Sequence, residues 1–188
     1  MISWLLFNTH LISFWYSVAG LALLAVTFVF IFDYFFNDQK LYCKFLAHYV
    51  WGIIILVTIG GVSTSLLYSE VLGFVPCSLC WLQRVALYPQ VLLVLAAFKL
   101  KDAKHSSVYG TVLSIFGLVV AVYQYVLQAL PQDLYESGLM PCLADGTADC
   151  SKKIIEVFGF VTFPFLSGVL FLFLIVVYLH RLRVISKE

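Results

Sequence analysis

The segment Pro76-Cys77-Ser78-Leu79-Cys80-Trp81-Leu82-Gln83-Arg84 places two thiols, separated by two residues, where a polar loop runs into an apolar stretch. A dithiol with this spacing can close into a disulfide and reopen. The loop it closes is so short that a purely structural staple there gains little from restraining the unfolded chain. Such pairs are more often redox or metal sites. Pro76 fixes an extended approach and suits a turn just before a helix start. Cys80 then falls in the first helical turn, where free N–H groups and the helix dipole favour an anion, and thiolate is the attacking species in thiol chemistry. Arg84 follows at i+4, on the same helical face and one turn deeper. A guanidinium there can stabilise the Cys80 thiolate and hydrogen-bond a carbonyl oxygen of a lipid-phase acceptor. The chemistry expected is electron transfer between thiols and something dissolved in lipid.

Three further cysteines complete a set of five. Cys142 and Cys150 lie in one long polar loop, and Cys43 stands alone. For Cys142 and Cys150 a simple staple and a redox role are both open. Zinc is the competing use of four cysteines. The spacing of the second pair is unlike a zinc-ligand knuckle, so no metal is expected.

The elements that must position these groups are membrane helices. The chain has 188 residues, 63% hydrophobic and 11% charged, with a mean hydropathy of +1.01. That composition belongs to integral membrane proteins. The basic residues are scattered through short loops, so no stripe exists for nucleic acid. Five stretches are long and apolar enough to cross a hydrocarbon core: Leu11–Phe35, Phe45–Tyr68, Cys80–Leu100, Val108–Leu130 and Gly159–Leu179. The first lacks a basic leader and a small-residue cleavage site, and reads as a retained helix. Lys40 and Lys44, then Lys99, Lys101 and Lys104, then Arg181, Arg183 and Lys187 mark alternate loops as cytoplasmic by the positive-inside rule. The N-terminus, the Cys77 loop and the loop Pro131–Phe158 fall outside, and the C-terminus inside. Four cysteines therefore sit where disulfides persist, and Cys43 where they are rare.

Cys-x-x-Cys-x-x-Gln-Arg at the start of a membrane helix resembles the disulfide bond formation protein B (DsbB) family. The longer form, Pro-Cys-Ser-Leu-Cys-Trp-Leu-Gln-Arg followed by Tyr88-Pro89, is most similar to its BdbC-like branch. A second match is Asp149-Cys150-Ser151-Lys152-Lys153, continuing through Glu156-Val157-Phe158-Gly159-Phe160 to Pro164. The resemblance spans roughly Phe45 to Leu179. It implies a bacterial cytoplasmic (inner) membrane protein, all-α, with a four-helix transmembrane bundle in residues 45–188. Residues 1–44 then carry an additional N-terminal transmembrane helix and a cytoplasmic loop.

The resemblance further implies a thiol:quinone oxidoreductase. It would reoxidise an extracytoplasmic DsbA-like thiol oxidase of thioredoxin fold and pass electrons to ubiquinone or menaquinone, a route known for this family. Its redox disulfides would be Cys77–Cys80 and Cys142–Cys150. Cys142 would take the partner's attack, Cys150 would exchange with Cys77, and Cys80 would face the quinone with Arg84 beside it. Gln83, also expected at the quinone-binding site, stands where some relatives have an acid. Gln124 or Tyr125, near the outer end of the fourth helix, is expected to hydrogen-bond quinone in place of a histidine found in some members.

Three other functions compete, one of them a transporter carrying reducing equivalents outward, which needs a cytoplasmic thiol relay that Cys43 alone cannot form. A vitamin K epoxide reductase-like quinone reductase shares the helix bundle, but its Cys-x-x-Cys lies near the chain's end. A non-enzymatic membrane subunit with stapled outer loops is the third. Elsewhere the expectations are structural: Gly60-Gly61 with Ser63, Thr64 and Ser65 for close helix packing, and Pro89 and Pro164 as kinks inside helices. No role is expected for His48, His105, His180 or the first helix.

Overall fold

The computed structural model describes residues 8–36, 49–100, 102–129 and 156–186. Cys43, Cys142, Cys150 and His48, and with them most of the long outer loop, lie outside the described residues. Five helices account for nearly everything described: α1 (Thr9–Phe36), α2 (Val50–Leu66), α3 (Ser78–Leu100), α4 (Ala103–Ala129) and α5 (Phe163–Ile185). A π-helical turn, Leu67–Val71, extends α2. All five are long and apolar enough to span a membrane. The protein is an all-α membrane protein with a four-helix core, α2 to α5, and one added N-terminal helix, α1.

The helix ends differ from the hydropathy boundaries where local caps intervene. The third helix begins at Ser78 rather than Cys80, because Cys77 serves as its cap. The Cys77 carbonyl accepts the Trp81 N–H at 3.0 Å. The fourth begins at Ala103, not Val108, where the Asp102 carboxylate accepts the His105 N–H at 3.3 Å, a side-chain cap of the usual acidic kind.

The last helix starts at Phe163, four residues after the expected Gly159. Phe158 (φ 57°) and Gly159 (φ 76°) both adopt the left-handed region. The chain therefore doubles back, and Val157 and Val161 exchange backbone hydrogen bonds of 3.1 and 3.0 Å. Pro164 then falls in the first turn of α5. Its missing N–H would be unpartnered there in any residue, so it starts the helix instead of kinking it. α3 continues as helix through Pro89.

Within the bundle α5 is the hub, packed against α4, α1 and α2, while α3 lies between α2 and α4. Gly110 and Gly117 of α4 give the contact its closeness, because a Cβ at either would meet the rings of Tyr178 and Phe171 on α5. Ile54, Ala86, Val94, Leu174 and Val177 fill the apolar core around them. The polar groups buried between α3, α4 and α5 here are partnered. Ser114 and Tyr178 hydroxyls both donate to Gln90 Oε1 at 3.2 Å, and Gln90 Nε2 donates to the Ala86 carbonyl. The outward faces carry Trp15, Phe28, Leu56, Leu92 and Val112, a surface suited to lipid, where every backbone group must be satisfied within the helices.

The first helix is fixed to the core at both ends. His180 Nε2 donates to the Phe30 carbonyl at 2.9 Å and Arg183 Nη1 to the Tyr34 carbonyl at 2.7 Å, with the Arg183 guanidinium 4.8 Å from the Tyr34 ring. At the opposite end the Ser13 and Tyr68 hydroxyls meet at 2.8 Å. His180, expected to have no role, is thus part of this attachment.

Candidate redox site and cavity

The spacing of Cys77 and Cys80 has a local structural reason. As the cap of α3, Cys77 directs its sulfur back over the first turn and accepts the Cys80 backbone N–H at 3.3 Å. This is the position in which a capping side chain satisfies one of the free amides of a helix start. Both sulfurs are free thiols in this structure; Cys77 is buried and Cys80 partly exposed.

Distant side chains complete the surroundings of the two sulfurs. Gln124 of α4 aims its amide at them, with Nε2 3.3 Å from Cys77 Sγ and 3.6 Å from Cys80 Sγ. Its Oε1 accepts from Gln83 Nε2 at 2.7 Å, and Gln83 Oε1 accepts from the Ser167 hydroxyl at 2.6 Å. A serine on α5 and amides on α3 and α4 thus form one chain whose donors all point toward sulfur. Aligned hydrogen bonds of this kind polarise one another. They favour negative charge on sulfur over the neutral thiol.

Arg84 lies at the side of the same site and is only 8% exposed. Its Nε donates to Ser65 Oγ at 2.9 Å and its Nη2 to the Ser65 carbonyl at 3.1 Å. Its guanidinium carbon lies 5.0 Å from the Trp81 ring centroid, within cation–π range. Among the described residues no carboxylate lies within ion-pair distance of it. A buried cation without an anionic partner is expensive. Ser65 and the Trp81 ring are what hold it here, at the wall of a cavity.

The space those groups face is a cavity of about 900 Å³. Its polar end holds Cys77, Cys80, Gln83, Arg84, Ser65 and Gln124, and its other walls are apolar, with Val57, Leu87, Leu170 and Phe171 and, at the lipid-facing edge, Leu56. Helix α1 contributes Tyr16, Ala19, Gly20 and Leu23. A quinone fits this donor set: a polar end with a guanidinium and hydroxyls for ring carbonyls, and an apolar remainder for a hydrocarbon chain.

Of the residues expected from sequence, the structure brings Cys77, Cys80, Gln83, Arg84 and Gln124 together. Gln124 reaches the sulfurs directly. Tyr125 is not brought to the cavity; its hydroxyl donates to the Phe160 carbonyl at 3.3 Å, because it leaves α4 on a different side from Gln124. Sequence reasoning missed Ser65 and Ser167. The Gly60–Ser65 stretch was visible as small residues, and Gly61 does pack closely, a Cβ there coming within 2.6 Å of Leu170. Gly60, Ser63, Thr64 and Ser65, however, line the cavity. The π turn that follows, a feature frequent at functional sites, sets Tyr68 and Ser69 on the cavity wall as well. Nothing in the sequence singled out Ser167.

Comparison with known proteins agrees with this architecture. The model of the family described as "Disulfide bond formation protein DsbB" matches residues 47–180. A "Probable disulfide formation protein" from Oceanobacillus iheyensis is 38% identical over 119 residues, covering 63% of this chain and 79% of its own. The "SPbeta prophage-derived disulfide bond formation protein B" of Bacillus subtilis is 40% identical over 111 residues, 59% of this chain and 70% of that protein. "Disulfide bond formation protein C" of the same organism is 33% identical over 126 residues, 67% and 84% of the two chains. No solved structure matches. With its four-helix core matched from residue 47 to residue 180 and its paired thiols at the head of α3, the chain belongs to the DsbB family of disulfide bond formation proteins.

Proposed function

We propose that the protein is a thiol:quinone oxidoreductase of the bacterial cytoplasmic membrane. In this reading it reoxidises an extracytoplasmic DsbA-like thiol oxidase and delivers the electrons to quinone. Residues 45–188 are the redox unit, with the N-terminus and the cysteine loops outside and the C-terminus inside. The observation that carries the reading is one arrangement: the Cys77–Cys80 pair, its amide donors and Arg84 all face the polar end of one cavity between helices.

Each protein step is a thiol–disulfide exchange. A partner thiolate attacks the Cys142–Cys150 disulfide at Cys142, and the second partner thiol displaces Cys142, leaving the partner oxidised. Cys150 then attacks Cys77 of the Cys77–Cys80 disulfide, releasing Cys80 as thiolate; Cys142 displaces Cys77 and restores the outer pair. The pair Cys77–Cys80 now holds the two electrons taken from the partner dithiol. Closing Cys77–Cys80 again releases two electrons and two protons, which a quinone held beside Cys80 and Arg84 would take up.

The side chains near sulfur have separate tasks. Gln124 and the α3 N-terminus stabilise the Cys80 anion. Gln83 and Ser167 hold the Gln124 amide in the orientation that donates to sulfur. Arg84, positioned by Ser65, offers its remaining N–H groups to a ring carbonyl. Leu79, Val120 and Leu127 pack around the two cysteines and limit water at the anion.

The test is direct. Purified protein supplied with a reduced thioredoxin-fold donor should reduce quinone, and Cys77→Ala and Cys80→Ala should each abolish turnover. Turnover surviving either substitution sinks the proposal. In cells, a partner whose second thiol is replaced cannot displace Cys142 and should accumulate as a mixed disulfide that Cys142→Ala abolishes; a mixed disulfide that survives Cys142→Ala removes the assigned order.

A further inference from the structure

The family match begins at residue 47, so α1 stands outside the part of the chain that the family accounts for. Yet α1 is built into the cavity. Tyr16, Ala19, Gly20 and Leu23 follow one another at i, i+3, i+4 and i+7, a single helical face, and all four line the cavity. The adjoining face, with Ser17 and Thr27, is buried, and the helix packs along α5. At Gly20 the approach is so close that a Cβ would meet the Leu166 side chain of α5.

The four core helices leave a weak seam. α5 packs extensively on α4 and far less on α2. The cavity opens into that seam, between Leu56, Val57, Gly60 and Gly61 of α2 and Leu166 and Leu170 of α5. α1 lies along α5 but shares no extensive packing with α2, so it walls the seam on one side only. From Ser65, which holds Arg84, down to Leu56 is about 14 Å of helix at 1.5 Å per residue. The lining changes along that length from hydroxyls and guanidinium to aliphatic side chains.

We propose that α1 is the lipid-side wall of this cavity, and that its Ala19–Leu23 face seats the apolar tail of the quinone while the ring lies at Cys80 and Arg84. The proposal rests on the quinone reading above. It gives the added helix a function in substrate selection: it sets which tailed quinones bind, without touching the redox chemistry. The occupant is a prenyl chain because the groove is continuous with the polar end of the site. Its walls offer apolar contact and few polar groups to orient anything else.

The test uses full-length protein and two quinones with the same ring, one with a long prenyl tail and one without. Ala19→Phe and Leu23→Trp narrow the groove; Phe28→Ala, on the lipid-facing side of α1, is the control. Narrowing should raise KM for the tailed quinone roughly tenfold, the scale at which hydrophobic pockets discriminate. It should leave KM for the tailless quinone and kcat unchanged. Independently of turnover, a quinone with a photoreactive group on its tail should label peptides from Thr9–Phe36 in the unsubstituted protein. Equal changes in KM for both quinones, or labelling confined to the other helices, overturns the role of α1 and leaves the quinone reading intact. Failure of the unsubstituted protein to reduce or bind either quinone overturns both.

Discussion

Replacing Gln124 by leucine removes a side chain that donates to both sulfurs, while nearly conserving its volume. Two N–H···S contacts are lost, at 3.3 and 3.6 Å, and Gln83 Nε2 loses its 2.7 Å acceptor. A hydrogen bond to a charged group contributes about 1.5–3 kcal/mol. Sulfur is a soft acceptor at long range, so the lower end applies, about 1.5 kcal/mol, which is roughly tenfold in rate. The orphaned Gln83 amide adds a stability cost of about 1–3 kcal/mol.

Two measurements separate these effects. The rate of quinone reduction with a reduced thioredoxin-fold donor and the rate of Cys80 alkylation should both fall about tenfold, while a thermal melt reads the stability loss. Gln83→Leu leaves the Gln124 donor in place but unoriented, and should cost only about threefold, the scale of a neutral hydrogen bond. Because the two amides act in series, the double variant should match Gln124→Leu alone, not the product of the two. Rates within twofold of the unsubstituted protein for Gln124→Leu, or fully multiplicative effects of the two substitutions, would refute the donor chain.

Other consequences follow from the same geometry. Arg84→Met keeps the stem against Trp81 but removes the cation; quinone KM should rise at least tenfold while Cys80 alkylation is less affected, as steady-state kinetics and alkylation together will read. Ser65→Ala should do the same more weakly, since the Ser65 carbonyl still holds Nη2; an effect equal to Arg84→Met would place the serine itself against the ligand. Gly117→Ala forces a methyl into the Phe171 ring, and overpacking of this kind costs about 1–3 kcal/mol, seen as a lower melting temperature in detergent. Asp102 caps α4, and the His105 side-chain hydrogen bond holds its carboxyl below the usual carboxylate range. A carboxyl lowered in this way stabilises the fold above its unfolded pKa, near 3.9. That contribution is lost as pH falls through the lower folded value. Amide exchange at the start of α4 should accelerate on acidification, and Asp102→Asn should remove that pH dependence.

Much of the site was legible because it is local. Cys77, Cys80, Gln83 and Arg84 occupy one cap and two turns of one helix, and helical geometry alone puts Arg84 on the face of Cys80. Gln124 was legible only as a polar residue near the right end of its helix; that it reaches the two sulfurs is a matter of how α4 is rotated against α3. Tyr125, its neighbour in sequence, points elsewhere for the same reason, since adjacent residues on a helix lie about 100° apart. Ser65 and Ser167 carried no readable signal, because small hydroxyl residues also serve helix packing.

The sequence by itself determined the five spans, the Cys-x-x-Cys pair at a helix start and the cation one turn below. Each depends on hydropathy or on contacts within a few residues along the chain. Tertiary structure alone decided what surrounds them. The Gln83–Gln124 contact spans 41 positions and the Gln83–Ser167 contact 84, so neither follows from periodicity. The role of α1 has the same origin. Its sequence reads as one more apolar helix, and only its packing on α5, at Gly20 against Leu166, turns one face of it into the wall of the cavity.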